Sequence, residues 1–192
     1  MCHTLLRDSR LYELLLKFDV DLAAKVRAAG CECGGRLDAA NYPRKPRGGP
    51  VGLGDEHARR LSFCCAVDGC RSRATPPSVR FLGRKVYGGA VVVLAAAMQH
   101  GPSKKRVAQI EVLLGIGRRT LVRWRRWWTE AFRSSRFWQS LRGRFMPGID
   151  ETALPLAVLE RFGATADETS VIALLRLLEP ISTTPGLEAS AS

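Results

Sequence analysis

Six cysteines are the residues of this chain best equipped for chemistry, and four of them fall in two close pairs. Cys31-Glu32-Cys33-Gly34-Gly35 carries one pair and Cys65-Ala66-Val67-Asp68-Gly69-Cys70 the other. A structural zinc ion takes four thiolates in a tetrahedron, and two knuckles brought together by hairpins supply them. Gly34, Gly35 and Gly69 suit the tight turns that knuckles need. Cys31, Cys33, Cys65 and Cys70 are therefore the expected ligands of a structural Zn²⁺. The gaps of one and four residues depart from the usual gap of two, so Cys64 in place of Cys65, or His57 in place of a thiol, remain open alternatives. Cys2 has no partner in the sequence and reads as a plain thiol.

The second chemical feature is the run Arg118 to Trp128, in which three Trp sit among five Arg with no acid. Leu121, Trp124, Trp128 and Phe132 recur at three- and four-residue steps and share one helix face. Arg119, Arg123 and Arg126 recur at similar steps on another. One side is expected to anchor in a core, with Trp124 and Trp128 buried against Leu121, Ile110 and a preceding apolar helix. The other side presents a column of guanidinium groups suited to a polyanion. An ordinary solvated face would mix both signs of charge.

Composition points the same way. The 192 residues carry a formal net charge of +12 with a pI near 10.1, a balance typical of chains that meet nucleic acid or an anionic surface. Gly101 to Phe145 holds 12 Lys/Arg against two acids, whereas Met146 to Ser192 holds two Arg against seven acids. Met1 to Arg10 is broken by Arg7, Asp8 and Arg10, which predicts no secretory signal. The longest apolar run, Ala90 to Met98, is about half a membrane span. The expected setting is the cytoplasm, beside the nucleoid, with no membrane partner and with thiols kept reduced.

The elements that must position these residues follow from periodicity. Residues 1–30 form an N-terminal helical segment, with a helix from Thr4 to Ala29 showing a stripe of Leu5, Leu11, Leu14, Leu15, Phe18, Leu22 and Val26, and Gly30 as its stop. Residues 31–82, punctuated by Gly, Pro and Cys, predict short strands and turns in a zinc-ribbon-like module. Inside it, Tyr42 to Pro50 has a basic, extended character that suits either a minor groove or an exposed linker. Residues 83–146 form a helix-turn-helix domain. Gly88 to Met98 is its buried helix, Ser103 caps a helix running to Leu114, Gly115-Ile116-Gly117 is the turn, and a further helix starts at Arg118. Residues 147–180 are a short acidic segment of one or two helices, and 181–192 a disordered tail. The expected fold class is mainly α, a helix-turn-helix bundle with a small zinc-ribbon-like β module.

In a helix-turn-helix the second helix enters the major groove and its first residues meet base edges. That places Arg118, Arg119, Thr120 and Arg123 at bases or nearby phosphates, and Arg125 and Arg126 further along the backbone. Ser103, Lys104, Lys105 and Arg106 would meet phosphates at the N-terminus of the first helix.

The order of these parts, with Arg-Ser-Arg-Ala-Thr-Pro-Pro-Ser after the second Cys pair and then Ser103, Leu114-Gly115-Ile116, Thr120 and Trp124, resembles the N-terminal portion of bacterial insertion-sequence transposases. The resemblance covers about Cys31 to Phe132. It implies a zinc ribbon and a helix-turn-helix that bind the ends of a mobile element, with cutting and joining left to a separate acidic-triad domain of the ribonuclease-H type. Two departures stand out: the third helix runs about a turn longer, and Glu111 occupies a place where a small residue is customary. The 47 residues after Phe145 are too few for such a catalytic domain by ordinary domain scaling. No P-loop or dinucleotide fingerprint occurs either.

The expectation is thus a non-enzymatic, sequence-specific DNA-binding protein, transposase-like or accessory to a transposase. Its partners would be double-stranded DNA and either a catalytic transposase subunit or another copy of itself. A zinc-containing helix-turn-helix transcriptional regulator is the first rival, an RNA-binding zinc protein the second, and a recombinase borrowing carboxylates from a partner chain the third.

Overall fold

The computed structural model describes residues 2–44, 46–82, 87–98, 108, 111–112, 115–163 and 167–183. It is mainly helical with a small antiparallel sheet, and its apolar interior falls into one large and one small cluster.

The N-terminal helix is split. A single turn, α1 (Cys2–Leu5), precedes the long α2 (Ser9–Ala29). The break lies at Asp8, whose carboxylate accepts the Arg10 N–H at 3.0 Å and caps the longer helix. Gly30, at φ +74°, ends it, as the sequence leads one to expect. The buried stripe is rotated from the expected one. Leu11, Tyr12, Leu15, Asp19 and Ala23 are fully buried, whereas Leu14, Phe18, Leu22 and Val26 are only half-buried.

Among the described residues five short strands follow: β1 (Leu37–Ala39), β2 (Tyr42–Pro43), β3 (Arg59–Arg60), β4 (Phe63–Cys65) and β5 (Arg73–Ala74). They form a three-stranded antiparallel sheet in the order β1-β4-β5 and a two-stranded ladder β2-β3. The basic segment after β2 is tied down rather than free. The Arg44 N–H donates to the Ala58 carbonyl at 2.7 Å, and Arg47 bridges to Tyr87. Gly48 sits where a Cβ would fall 2.9 Å from Val91, so the backbone can approach only without a side chain.

The helical core is built on α3 (Gly89–Met98), whose residues from Ala90 to Ala97 are all buried. An all-apolar helix has no face to give to water, so neighbours must surround it. They are α1, α4 (Arg118–Arg126), α6 (Leu156–Phe162) and α7 (Glu168–Leu178). Gly89 permits a close approach, since a Cβ there would stand 2.9 Å from the Val79 carbonyl oxygen.

The helix from Arg118 does not run on as a regular α-helix. After α4 it widens into a π-helix over Trp127–Phe132, and then α5 (Arg136–Leu141) follows. The Thr129 and Ser134 hydroxyls donate to the Arg125 and Glu130 carbonyls along this stretch. Leu121, Trp124, Trp128 and Phe132 are all buried, as their spacing predicts, and Ile116 is the buried residue of the turn. Ring contacts continue from Trp128 to Phe132 at 4.8 Å, Phe132 to Trp138 at 5.3 Å and Trp138 to Phe145 at 5.9 Å. Such edge-on and offset contacts are favoured by the ring quadrupoles.

The acid-rich residues after Pro147 are part of this same core. Helices α6 and α7 pack on each other and on α3, and Val171, Leu174, Leu175 and Leu178 are fully buried. Order extends past the expected start of the tail. Ile181 is buried in a 3₁₀ turn, and the Ser182 hydroxyl accepts the Ser78 N–H at 2.8 Å. Residues 184–192 lie outside the described residues.

Candidate metal centre and basic helix

Each cysteine pair sits on a turn set by glycine. In the first, the Gly34 N–H donates to the Cys31 carbonyl at 2.8 Å and the Cys31 N–H to the Gly35 carbonyl at 3.0 Å, with Gly34 at φ +82°. A side chain at Gly35 would place its Cβ 2.7 Å from the Cys65 sulfur, so this position must stay bare for the sulfurs to meet. In the second, the chain turns through Gly69 at φ +87°, and the Cys70 N–H donates to the Val67 carbonyl at 3.2 Å. The Val67 N–H points at the Cys65 sulfur at 3.5 Å, an arrangement that steadies a thiolate. The pairing of β1 with β4, Leu37 opposite Cys65, brings the two knuckles together.

The four sulfurs converge. Cys31 and Cys70 are 3.8 Å apart, Cys33 and Cys65 3.5 Å, and the whole set lies within 4.8 Å. A disulfide needs sulfurs at about 2.05 Å, so these are separate thiols. A tetrahedron with metal–sulfur bonds of about 2.3 Å has edges of about 3.8 Å, close to the observed spacings. The donor set thus fits a single tetrahedral metal ion.

Without a cation the surroundings pull Cys70 and Cys65 in opposite directions. Bonds from the Ser72 hydroxyl and backbone bring the Cys70 thiol down to about 6. At Cys65 the Val67 N–H acts in the same downward sense, but burial and the neighbouring thiols outweigh it and push the group up to about 12. A divalent cation in their midst removes that conflict, because it holds all four as thiolates.

The two alternative ligands are not in the cluster. Cys64 neighbours Cys65 on β4 and points to the other face, its sulfur 3.5 Å from the Arg71 carbonyl. His57 is buried elsewhere, with Nε2 3.7 Å from a Glu56 carboxylate oxygen. Cys2 is part of α1.

On α4, Arg118, Arg119, Arg123, Arg125 and Arg126 are all exposed, and Thr120 is half-buried. Only Arg126 among them meets a carboxylate within the described residues, Glu130 at 2.7 Å on the next turn. Ser103, Lys104, Lys105 and Arg106, together with Ile110 and Leu114, lie outside the described residues. Of the helix before the turn, Ala108, Glu111 and Val112 are described, and all three are helical.

Asp150 and Glu151 have structural work. The Asp150 carboxylate accepts the Thr152 N–H at 2.9 Å and caps a 3₁₀ turn. Glu151 accepts the Trp138 indole N–H at 2.9 Å and pairs with Arg133 and Arg142, contacts that hold its carboxyl below the usual range.

One polar cluster escapes a reading of the sequence alone. Asp19, on the core face of α2, accepts the Ser78 hydroxyl at 2.6 Å, the Val79 N–H at 2.8 Å and the Arg80 guanidinium at 2.8 Å. Arg80 donates onward to the carbonyls of Glu56, His57 and Arg59. The available signal was Asp19 itself, four residues from Leu15 and from Ala23 on a stripe that should be apolar.

Compared with protein-family models, with curated proteins and with solved structures, the chain finds no match in any of the three.

Proposed function

We propose that this chain binds duplex DNA, with one zinc ion holding its small sheet module as a ribbon and α4 acting as the second helix of a helix-turn-helix. The observation that carries the reading is the exposed arginine column on α4, a helix locked in place by Leu121 and Trp124 on its opposite side and by Trp128 in the π-helical turn that follows. Charges held on a rigid element can be set against phosphates and base edges without a large ordering cost. Zinc is the favoured metal because an all-thiolate tetrahedron suits a soft-tolerant d¹⁰ ion and not a hard oxygen-seeking one. The buried Trp124 and Trp128 offer no stacking platform for single-stranded bases, which favours a duplex over an RNA strand.

In this reading the protein is transposase-like or accessory to a transposase, and strand cutting would belong to a catalytic partner subunit. Arg119 and Arg123, in the first turns, act as base readers. Arg126, shared with Glu130, acts as a phosphate contact. The test is a duplex titration over a salt series with the wild type and an Arg119→Ala/Arg123→Ala variant. Each lost base contact is expected to cost about 1–3 kcal/mol and to relax specificity. Each lost phosphate contact is expected to lower the salt slope by about one unit. Equal affinities and slopes for the two proteins would return α4 to an ordinary solvated face.

A further inference from the structure

The residues of α4 that face water are Arg118, Arg119, Val122, Arg123, Arg125 and Arg126. All are arginines but one. Val122 is 55% exposed, against 2% for Trp124. It lies two residues before Trp124, which is about 200° around a helix, so it points outward where Trp124 points into the core. Its helical neighbours three and four residues away are Arg118, Arg119, Arg125 and Arg126, every one of them exposed. No other apolar side chain shares this face, since Leu121 and Trp124 are buried, and Thr120 is half-buried.

A lone exposed apolar residue is ordinary on a surface of mixed character. Inside a circle of arginines it serves neither role that local structure offers. Val122 fills no core, and a β-branched residue loses χ1 freedom that straight chains keep on a helix surface. The guanidinium groups around it suit an anion, but an anion alone has no use for a branched apolar group. The major groove of a duplex offers both contacts at this scale. Phosphates line its walls, and the one methyl group on its base edges belongs to thymine. Valine is also short. It touches only what lies directly beneath the helix, whereas the longer arginines reach bases or phosphates to either side.

We infer that Val122 packs on the 5-methyl group of a thymine in the major groove and so fixes one base of the site that α4 prefers. The inference rests on the duplex reading of α4. Val122 is about 4.5 Å along the helix axis from Arg119 and about 1.5 Å from Arg123, against a rise of about 3.4 Å per base pair. The commonest specific partner of arginine on a base edge is guanine. The preferred site therefore carries a thymine within about two base pairs of a guanine.

Selection from a pool of random duplexes by the full-length, metal-loaded protein is expected to enrich such a thymine. Replacing it by deoxyuridine removes the methyl and leaves the pairing and the phosphates as they were. The unaltered chain should then bind about fourfold more weakly, the worth of one buried methyl group. Val122→Ala, a change that favours the helix, withdraws both γ-methyl groups and should lose most of this discrimination. Val122→Ile should keep it. Three results would overturn the inference and leave the duplex reading standing: duplex binding with no thymine enriched, equal affinity of the unaltered chain for the thymine and deoxyuridine duplexes, or undiminished discrimination in Val122→Ala. A chain that binds no duplex, or binds one as tightly after Arg119→Ala/Arg123→Ala, would overturn the duplex reading and this inference with it.

Discussion

Stripping the metal with a chelator is expected to unfold the sheet module and leave the helical core standing. The module's own apolar cluster has only Ala23, Leu37, Phe63 and Cys65 fully buried, and one of these is a ligand. Its strands are two or three residues long. Burying so few side chains, at about 1.5–3 kcal/mol each, falls well short of the entropy of ordering fifty residues. A structural zinc contributes about 10–16 kcal/mol when ligands and fold form together. The helical core, with more than twenty buried apolar residues around α3, has no such dependence. Elemental analysis should find one zinc per chain. Chelation should collapse the NMR dispersion of residues 31–74 while most helical circular dichroism persists. Acid should act likewise, because protons compete for the thiolates, so metal affinity falls as pH falls. A metal-free preparation with a fully dispersed module would refute the expectation.

The second large effect is expected at Asp19. With side-chain exposures of 1% and 5%, the Asp19–Arg80 pair is out of water. Deleting one member of a buried pair strands the other charge, and the loss runs to about 3–5 kcal/mol. Asp19→Ala would in addition orphan the Ser78 hydroxyl and the Val79 N–H. The change should lower the denaturant midpoint with little change in slope. A double variant, Asp19→Leu with Arg80→Met, should recover part of the loss, since no bare charge remains. Recovery should be incomplete, because the carbonyls of Glu56, His57 and Arg59 would lose their donor. A cost below about 1 kcal/mol for Asp19→Ala would mean that water reaches the pair.

What could be read without the structure was whatever has a period or a coordination number. The four thiols were legible because tetrahedral ligation leaves its mark as paired cysteines beside glycines, even at unusual gaps. The buried face of α4 and of the π-helix after it was legible because Leu121, Trp124 and Trp128 repeat at helical steps. Cys65 was the expected ligand, but what sets Cys64 aside is the face of β4 on which each sulfur lies, and that needed the structure. The π-helical widening at Trp127 was hidden too, since the same spacing fits an unbroken helix until the rings must be packed. Nor could periodicity show the Asp19–Arg80 pair, whose members are 61 residues apart. The acidic composition after Pro147 pointed to one or two helices without showing what they pack against. The leucines of α7 complete the core, as composition describes a segment's surface better than its inner face.

Helix α2 belongs to both clusters at once: Leu11, Tyr12 and Leu15 sit in the large one, Ala23 and the half-buried Val26 in the small one. Its backbone hydrogen bonds therefore draw on two separate reserves of stability, with Asp19 at the border. In the metal-loaded protein, amide protons along the helix should exchange with solvent at nearly uniform, slow rates. Once the metal is gone, the last two turns have lost what covered them and should exchange orders of magnitude faster than the first. One continuous helix would then record, as a step in exchange rate near its middle, whether the cysteines some twenty ångströms along it hold their ion.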